Sequence, residues 1–169
     1  MTQPASVTFD GTDLVLWVPS LESIEFPGLS ELTDPSVLDL SCYFTDTGWA
    51  PALTESGITD NRLCSSTDFS GPGRKAYALP LMYVFNPEEP TEDQARTTLV
   101  ENTLGYFVER PGVPYDQDLA AGDLVRCYAV KLGRQMEAGR TANQPWVIQQ
   151  QAYLRPPGTT SALVQVAAS

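Results

Sequence analysis

The stretch Lys75-Ala-Tyr-Ala-Leu-Pro-Leu-Met-Tyr-Val-Phe85 decides the fold class. It is rich in aromatic and branched apolar residues and ends at the turn-forming Asn86-Pro-Glu-Glu-Pro90. That composition predicts a long β-strand. Pro80 sits in its middle and has no N–H for a hydrogen-bond ladder, so the strand must run at a sheet edge or carry a bulge. Just before it, Gly71-Pro72-Gly73-Arg74-Lys75 superficially resembles a phosphate loop. It lacks the required gap and the Lys-Ser/Thr ending and leads into a strand, so it is expected to be a tight turn.

Working outward, the rest of the chain also reads as β. Strands are expected at 103–109, 124–132, 146–154 and 162–167 on the C-terminal side. On the N-terminal side they fall at 38–44, 13–18 and 6–10. Asp10-Gly11 supplies a hairpin turn between the first two, and Gly158 marks a turn near the end. In 38–44, Leu38, Leu40, Cys42 and Phe44 alternate with polar residues. One helix is expected, over 91–102. There Thr91 is the N-cap, Gln94 completes a capping box, Glu92 and Asp93 complement the dipole, and Ala95, Leu99 and Val100 form the apolar stripe. Residues 19–37 are loop-like, and 45–74 form a long Ser/Thr/Asp/Gly/Pro-rich excursion holding Trp49 and a short β-like piece near 61–64. A loop of that length serves as an interaction arm. Eight short strands and one helix make a mainly β (α+β) sandwich or barrel in a single domain spanning 1–169, with a short N-terminal arm at 1–5.

The net charge is −11. No Lys or Arg precedes Arg62, while the first 61 residues hold ten Asp or Glu. The remaining eleven acids and ten bases give −1 over the other 108 residues. Such a balance argues against a classical nucleic-acid binder, which needs a basic patch. It suits solubility, repulsion of a polyanion, or a basic partner face. There is no secretory signal and no apolar run of roughly 20 residues to cross a membrane. Cys42, Cys64 and Cys127 show no Cys-x-x-Cys spacing and are expected as reduced thiols, with Cys42 and Cys127 in the core.

Catalytic chemistry lacks its usual groups. The chain has no histidine, which removes the commonest general base and metal ligand. Zinc spacings are missing, and Asp10-Gly11-Thr12-Asp13 is too short for a calcium loop. The carboxylates Glu88, Glu89, Glu92 and Asp93, and Asp116, Asp118 and Asp123, are local clusters with no apolar setting to raise a pKa. No enzyme activity and no cofactor are expected.

Six ordered segments carry a family resemblance. They are Leu38-Asp-Leu-Ser-Cys-Tyr-Phe-Thr-Asp46, Thr59-Asp-Asn-Arg-Leu-Cys-Ser65, Gly73-Arg74 leading into Leu81-Met-Tyr-Val-Phe-Asn-Pro87, Gly105-Tyr-Phe-Val-Glu-Arg-Pro-Gly-Val113, Asp118-Leu-Ala-Ala-Gly-Asp123 and Val125-Arg-Cys-Tyr-Ala-Val130. Together they resemble the major tail proteins, or tail tube subunits, of long-tailed siphophages infecting actinobacteria. The resemblance implies two packed sheets with a flanking helix, and hexameric rings that close a β-barrel around a lumen. It also implies stacking of the rings through long loops and arms, assembly on a tape-measure protein between tail terminator and distal tail proteins, and DNA transit without sequence-specific binding. The location implied is the virion tail, assembled in the bacterial host cytoplasm. On this reading 45–74 is the stacking loop, and Trp49, Arg62, Arg74 and Lys75 are the inter-ring candidates. An acidic lumen would let DNA slide.

In Trp146-Val-Ile-Gln-Gln-Gln-Ala-Tyr-Leu154, residues Val147, Gln149, Gln151 and Tyr153 share one face, with Gln150 an exception on the other. Gln149 and Gln151 are the lumen-facing candidates. A tail terminator, head–tail joining or capsid decoration protein is the alternative within virions. A soluble β-sandwich binding module for carbohydrate or protein is the alternative outside them.

Overall fold

The computed structural model describes residues 11–60, 64, 69–91, 93–139, 142–159 and 163–168. The expected strand at 6–10, the N-terminal arm at 1–5 and Arg62 lie outside them. The chain is mainly β, as its alternation predicts. Ten strands form one open sheet: β1 (Asp13–Val18), β2 (Leu38–Asp39), β3 (Phe44–Trp49), β4 (Ala52–Asp60), β5 (Phe69–Val84), β6 (Leu104–Pro111), β7 (Leu124–Leu132), β8 (Met136–Glu137), β9 (Val147–Thr159) and β10 (Val164–Gln165). The main order is β2-β1-β6-β7-β9-β5-β3, with β10 on β7, β4 on β5 and β8 on β9. All of these pairings are antiparallel.

The sheet is a single hydrogen-bonded set that curls on itself. Its inner face buries Val15 and Trp17 of β1, Phe107 of β6, Tyr128, Val130 and Leu132 of β7, Ile148 and Ala152 of β9, and Leu79, Leu81 and Tyr83 of β5 in one cluster. Each of these sets alternates along its strand, as the two-residue side-chain period requires. Opposite parity sends Leu14, Leu16, Val18, Val108, Val125 and Cys127 to the outer face. The 19–37 segment covers them with Leu21 and Leu32, and the C-terminal segment adds Val166. Ala167 clips the two covering segments together, donating its N–H to Pro27 and accepting one from Leu29. Helix α1 (Leu29–Leu32) lies in a region that reads as loop in the sequence.

Several boundaries differ from the sequence expectation, each for a local reason. Helix α2 is Gln94–Thr98, and Asp93, not Thr91, is its N-cap, its Oδ1 accepting the Arg96 N–H at 3.1 Å. Its Oδ2 also accepts the Asn86 N–H, so the cap ties the helix to the end of β5. Ala95 and Leu99 are fully buried as the stripe requires, whereas Val100 is exposed. The expected strand 38–44 breaks at Asp39, whose Oδ1 accepts both the N–H and the hydroxyl of Ser41. That Asx turn ends β2 and leaves Cys42 exposed, not in the core, while Cys127 is buried as expected. β9 passes the expected turn at Gly158 and pairs Thr159 with Tyr128. Gly71 to Lys75 is not a turn but part of β5, which bulges where Gly73 and Arg74 together face Ser56. A Cβ at Gly73 would meet the Ser56 carbonyl oxygen at 2.3 Å, so this crossing admits only glycine. Pro80 falls between the β4 pairing, which ends at Ala78, and the β3 pairing, which begins at Leu81.

Two buried polar groups hold the irregular parts. Arg110 is 1% exposed. Its guanidinium donates to the carbonyls of Pro114, Gln117 and Asp118 and to the Asp123 carboxylate, which shapes the 112–123 loop. Gln150, the polar exception on the inner face, donates to the carbonyls of Leu99 and Gly133 and accepts the Tyr83 hydroxyl. Gln135 joins them, its amide shared among the Tyr83 oxygen and the carbonyls of Arg96 and Leu99. These amides satisfy the C-terminal carbonyls of α2 and seat the helix on β5 and β9. Gln150→Leu would leave the Tyr83 hydroxyl and the Gly133 carbonyl without this partner, with Leu99 held by Gln135 alone. The expected loss is about 2 kcal/mol, measured by denaturant unfolding; an unchanged midpoint would show that the network contributes nothing.

Candidate functional site

Most of the described residues of the 45–74 excursion lie in strands. β3 closes against the body, and β4 pairs with the first part of β5 from Ala52↔Ala78 to Asp60↔Phe69. The result is a two-stranded arm that leaves the body, with all nine β4 residues exposed. Such a hairpin is at best marginal alone in water. Leu53 faces Tyr77 across the arm, and Glu55 faces Lys75. By parity these four lie on the same side of the sheet as Leu79, Leu81 and Tyr83. The core-facing side of β5 therefore continues out of the body, where none of the described residues buries it. Leu53 is 49% exposed, Tyr77 40% and Ile58, farther along, 62%. Arg74 and Lys75 stand exposed on the same arm. Trp49, read as a loop residue in the sequence, packs against Phe107 at 5.3 Å and Tyr128 at 5.7 Å at the root of the arm.

Two clefts flank this root and share Cys42. The first, of about 620 Å³, lies at the end of β5 and is lined by Tyr43, Val84, Phe85, Pro87, Glu89 and Trp146 among others. Trp146 packs edge-on to Phe85 yet remains 38% exposed. The second, of about 260 Å³, lies between β1 and β3 and includes Asp13, Thr45, Asp46, Trp49 and Tyr115.

Beside the second cleft, Asp13 and Glu109 lie close together. Glu109 is nearly buried, accepts the Tyr128 hydroxyl at 3.1 Å and pairs with Arg126 at 3.4 Å. Asp13 is pushed up to about 7, chiefly by burial and then by the Glu109 charge, with Arg126 pulling the other way. The neighbouring Tyr128 phenol is also pushed up, by burial and by Glu109. This pair is invisible in the sequence, because its members lie far apart along the chain and the β1–β6 register joins them, Asp13 lying opposite Pro111 and Glu109 opposite Val15.

The uncovered outer face of β5 and β9 carries the glutamine candidates. Gln149 is exposed and Gln151 half-buried, neither in the core. Pro80 and Met82 lie opposite them on β5, Met136 flanks Gln149 on β8, and Tyr153 follows at 60% exposure. Lys131 pairs with Tyr153 at the margin, where Arg134 also lies. Among the described residues no group of three or more His, Cys, Asp or Glu is placed to hold a metal ion. Among the described residues no helix is long and apolar enough to cross a membrane.

The family model of the phage tail tube protein matches residues 1–167. The chain belongs to the phage tail tube protein family. This tail tube protein is thus a structural subunit of the phage tail and a component of the virion, where it assembles with other tail proteins. Among solved structures it is similar to a chain in the cryo-EM structure of the anti-feeding prophage (AFP) baseplate, 6-fold symmetrised, with 12% identity and a TM-score of 0.49, covering 100% of this chain and 99% of that one. No curated protein matches the tail tube protein significantly.

The buried acid gives a pH signature. Because the folded Asp13 holds its proton more tightly than the unfolded chain, its contribution to stability is full below about pH 4 and is lost as pH rises toward 7. Asp13→Asn should therefore leave stability unchanged near pH 4 and raise it by about 1 kcal/mol near pH 8, after discounting for solvent at this half-exposed group. Chemical unfolding at the two pH values checks this; an equal effect at both would show that ionisation is not the cause.

Proposed function

We propose that this subunit self-assembles into hexameric rings that stack into the tail tube of a siphophage infecting an actinobacterium, and that the lumen of the tube conducts DNA into the host cell. The observation that carries the reading is the arm. A two-stranded extension with Leu53, Ile58 and Tyr77 bare is unfavourable in a lone chain and favourable once neighbouring copies cover it. Arg74 and Lys75 then meet acids of the adjoining ring, and Arg62, in the same 45–74 excursion, is proposed to join them. Single-domain subunits assemble in the bacterial cytoplasm into a tube built around a tape-measure protein, between tail terminator and distal tail proteins.

The Gln149/Gln151 face is our candidate for the lumen wall. Its centre is uncharged, and glutamine offers hydrogen bonds without the fixed cations that hold phosphate. This shifts the expected source of slipperiness. The acids of the N-terminal third lie elsewhere, Glu22, Glu25, Asp34 and Asp39 on the covering segment and β2, and Glu55 and Asp60 on the arm. A neutral polar wall serves passage as well as an acidic one.

Negative-stain microscopy of the purified protein tests the reading. Tubes of uniform width are expected; lone rings would favour a terminator, and persistent monomers would overturn self-assembly. Combined Arg62→Glu and Arg74→Glu substitutions should lower tube yield by about tenfold through like-charge contacts. Unchanged tube length and yield would remove these residues from the stacking contact.

A further inference from the structure

β5 joins two complementary surfaces. Residues 69–78 belong to the arm, while Val84 and the following Phe85 line the larger cleft. From Lys75 to Phe85 the extended chain runs roughly 33 Å, so arm and cleft occupy opposite ends of one strand. A surface at one end that fits a different surface at the other makes a head-to-tail contact, and such contacts repeat into rings or filaments.

The two surfaces match in chemistry. On one side of the arm are the apolar pair Leu53 and Tyr77 and, one rung farther, Lys75. Glu55 lies across from Lys75 without forming an ion pair with it. The cleft presents Phe85 and Trp146 stacked edge to face at 6.1 Å, with Tyr43 and Pro87 beside them. Its charged lining residues are Glu89 and Asp93. The Arg96 guanidinium lies over the ring of the buried Phe85 at 5.5 Å, so Trp146, 38% exposed, is the aromatic surface open to a guest. Asp93 is committed to the N–H groups of Asn86 and Arg96, which leaves exposed Glu89 to face a guest.

We infer that the arm of one copy seats in the β5-end cleft of the next copy, with Leu53 and Tyr77 against Trp146 and with Lys75 toward Glu89. The inference rests on the tube reading above and adds which surfaces meet. It makes the repeating contact a polar, directional one, in which each copy gives an arm and receives one.

The cysteines allow a direct test. Cys42 lines the cleft and is exposed, Cys127 is buried, and Cys64 is exposed at the turn of the arm. In a Glu55→Cys, Cys64→Ser chain assembled into tubes, a short bismaleimide should join Cys42 to position 55 of another copy. Mass spectrometry of tubes grown from mixed isotope-labelled and unlabelled chains identifies the link as intermolecular. Independently, in the otherwise unaltered chain, Glu89→Lys should lower tube yield about tenfold, and adding Lys75→Glu should restore it. Rescue by the swap cannot arise from misfolding, and it decides the matter if the cysteine variant fails to assemble. Tubes that form without the cross-link and ignore the charge swap would overturn the inference and leave the tube reading standing. An unaltered chain that forms no assemblies under any condition would overturn both.

Discussion

The aromatic cluster at the curl of the sheet is the interaction on which the rest of the molecule depends. Trp17 packs edge-on to Phe107 at 4.9 Å, and Trp49 and Phe44 close over Phe107 from β3. The contact exists because residue 105 is glycine: a Cβ there would fall 2.4 Å from the Trp17 ring. Edge-to-face packing contributes roughly 0.5–1.5 kcal/mol per pair beyond the area it buries. Its larger effect is geometric. β3 pairs with β5 irregularly, with Phe44 opposite Tyr83 and Trp49 opposite Leu81 and a register shift between them. The cluster pins it there, and β3 in turn fixes where the arm departs and where both clefts open.

Alternation made the body of the sheet legible. β7 coincides with the expected 124–132, and β1 with 13–18, because each has one face on the inner core and the other under the covering segments. The arm was illegible as strand for a complementary reason. A hairpin exposed on both sides gains nothing from alternating apolar and polar residues, so 52–60 carries no period-two signal and reads as loop by composition. Gly57, Gly71, Pro72 and Gly73 reinforced that reading, yet they gather at a single bulge. The helix falls within the expected 91–102 but spans only Gln94–Thr98, and its cap is Asp93 in place of Thr91, since the two are equivalent cap formers until the Asn86 N–H chooses between them.

Of the candidate residues, the sequence located Arg74 and Lys75 on an exposed projection and Gln149 and Gln151 off the core. It could not reveal that Trp49 packs against Phe107 and Tyr128 or that Phe85 and Trp146 line a cleft, because these depend on contacts between distant strands. One signal was present and unused. Three consecutive glutamines in a half-buried strand force one of them inward, and an inward amide must find several partners. Gln150 finds them on α2, on the chain after β7 and on β5.

The bulge of the arm has a consequence for how the protein survives before assembly. An unpaired strand edge is a template on which any other extended chain can add, and long flat edges lead to amyloid-like stacking. Here the ladder is interrupted between Glu55 and Gly57, and Pro72 opposite lacks a donor altogether. A passing strand can therefore match only a few residues before losing register. The subunit can hold its arm extended in a crowded cell without zipping up indiscriminately, and it keeps recognition for side chains, which tell a proper neighbour from a stray one.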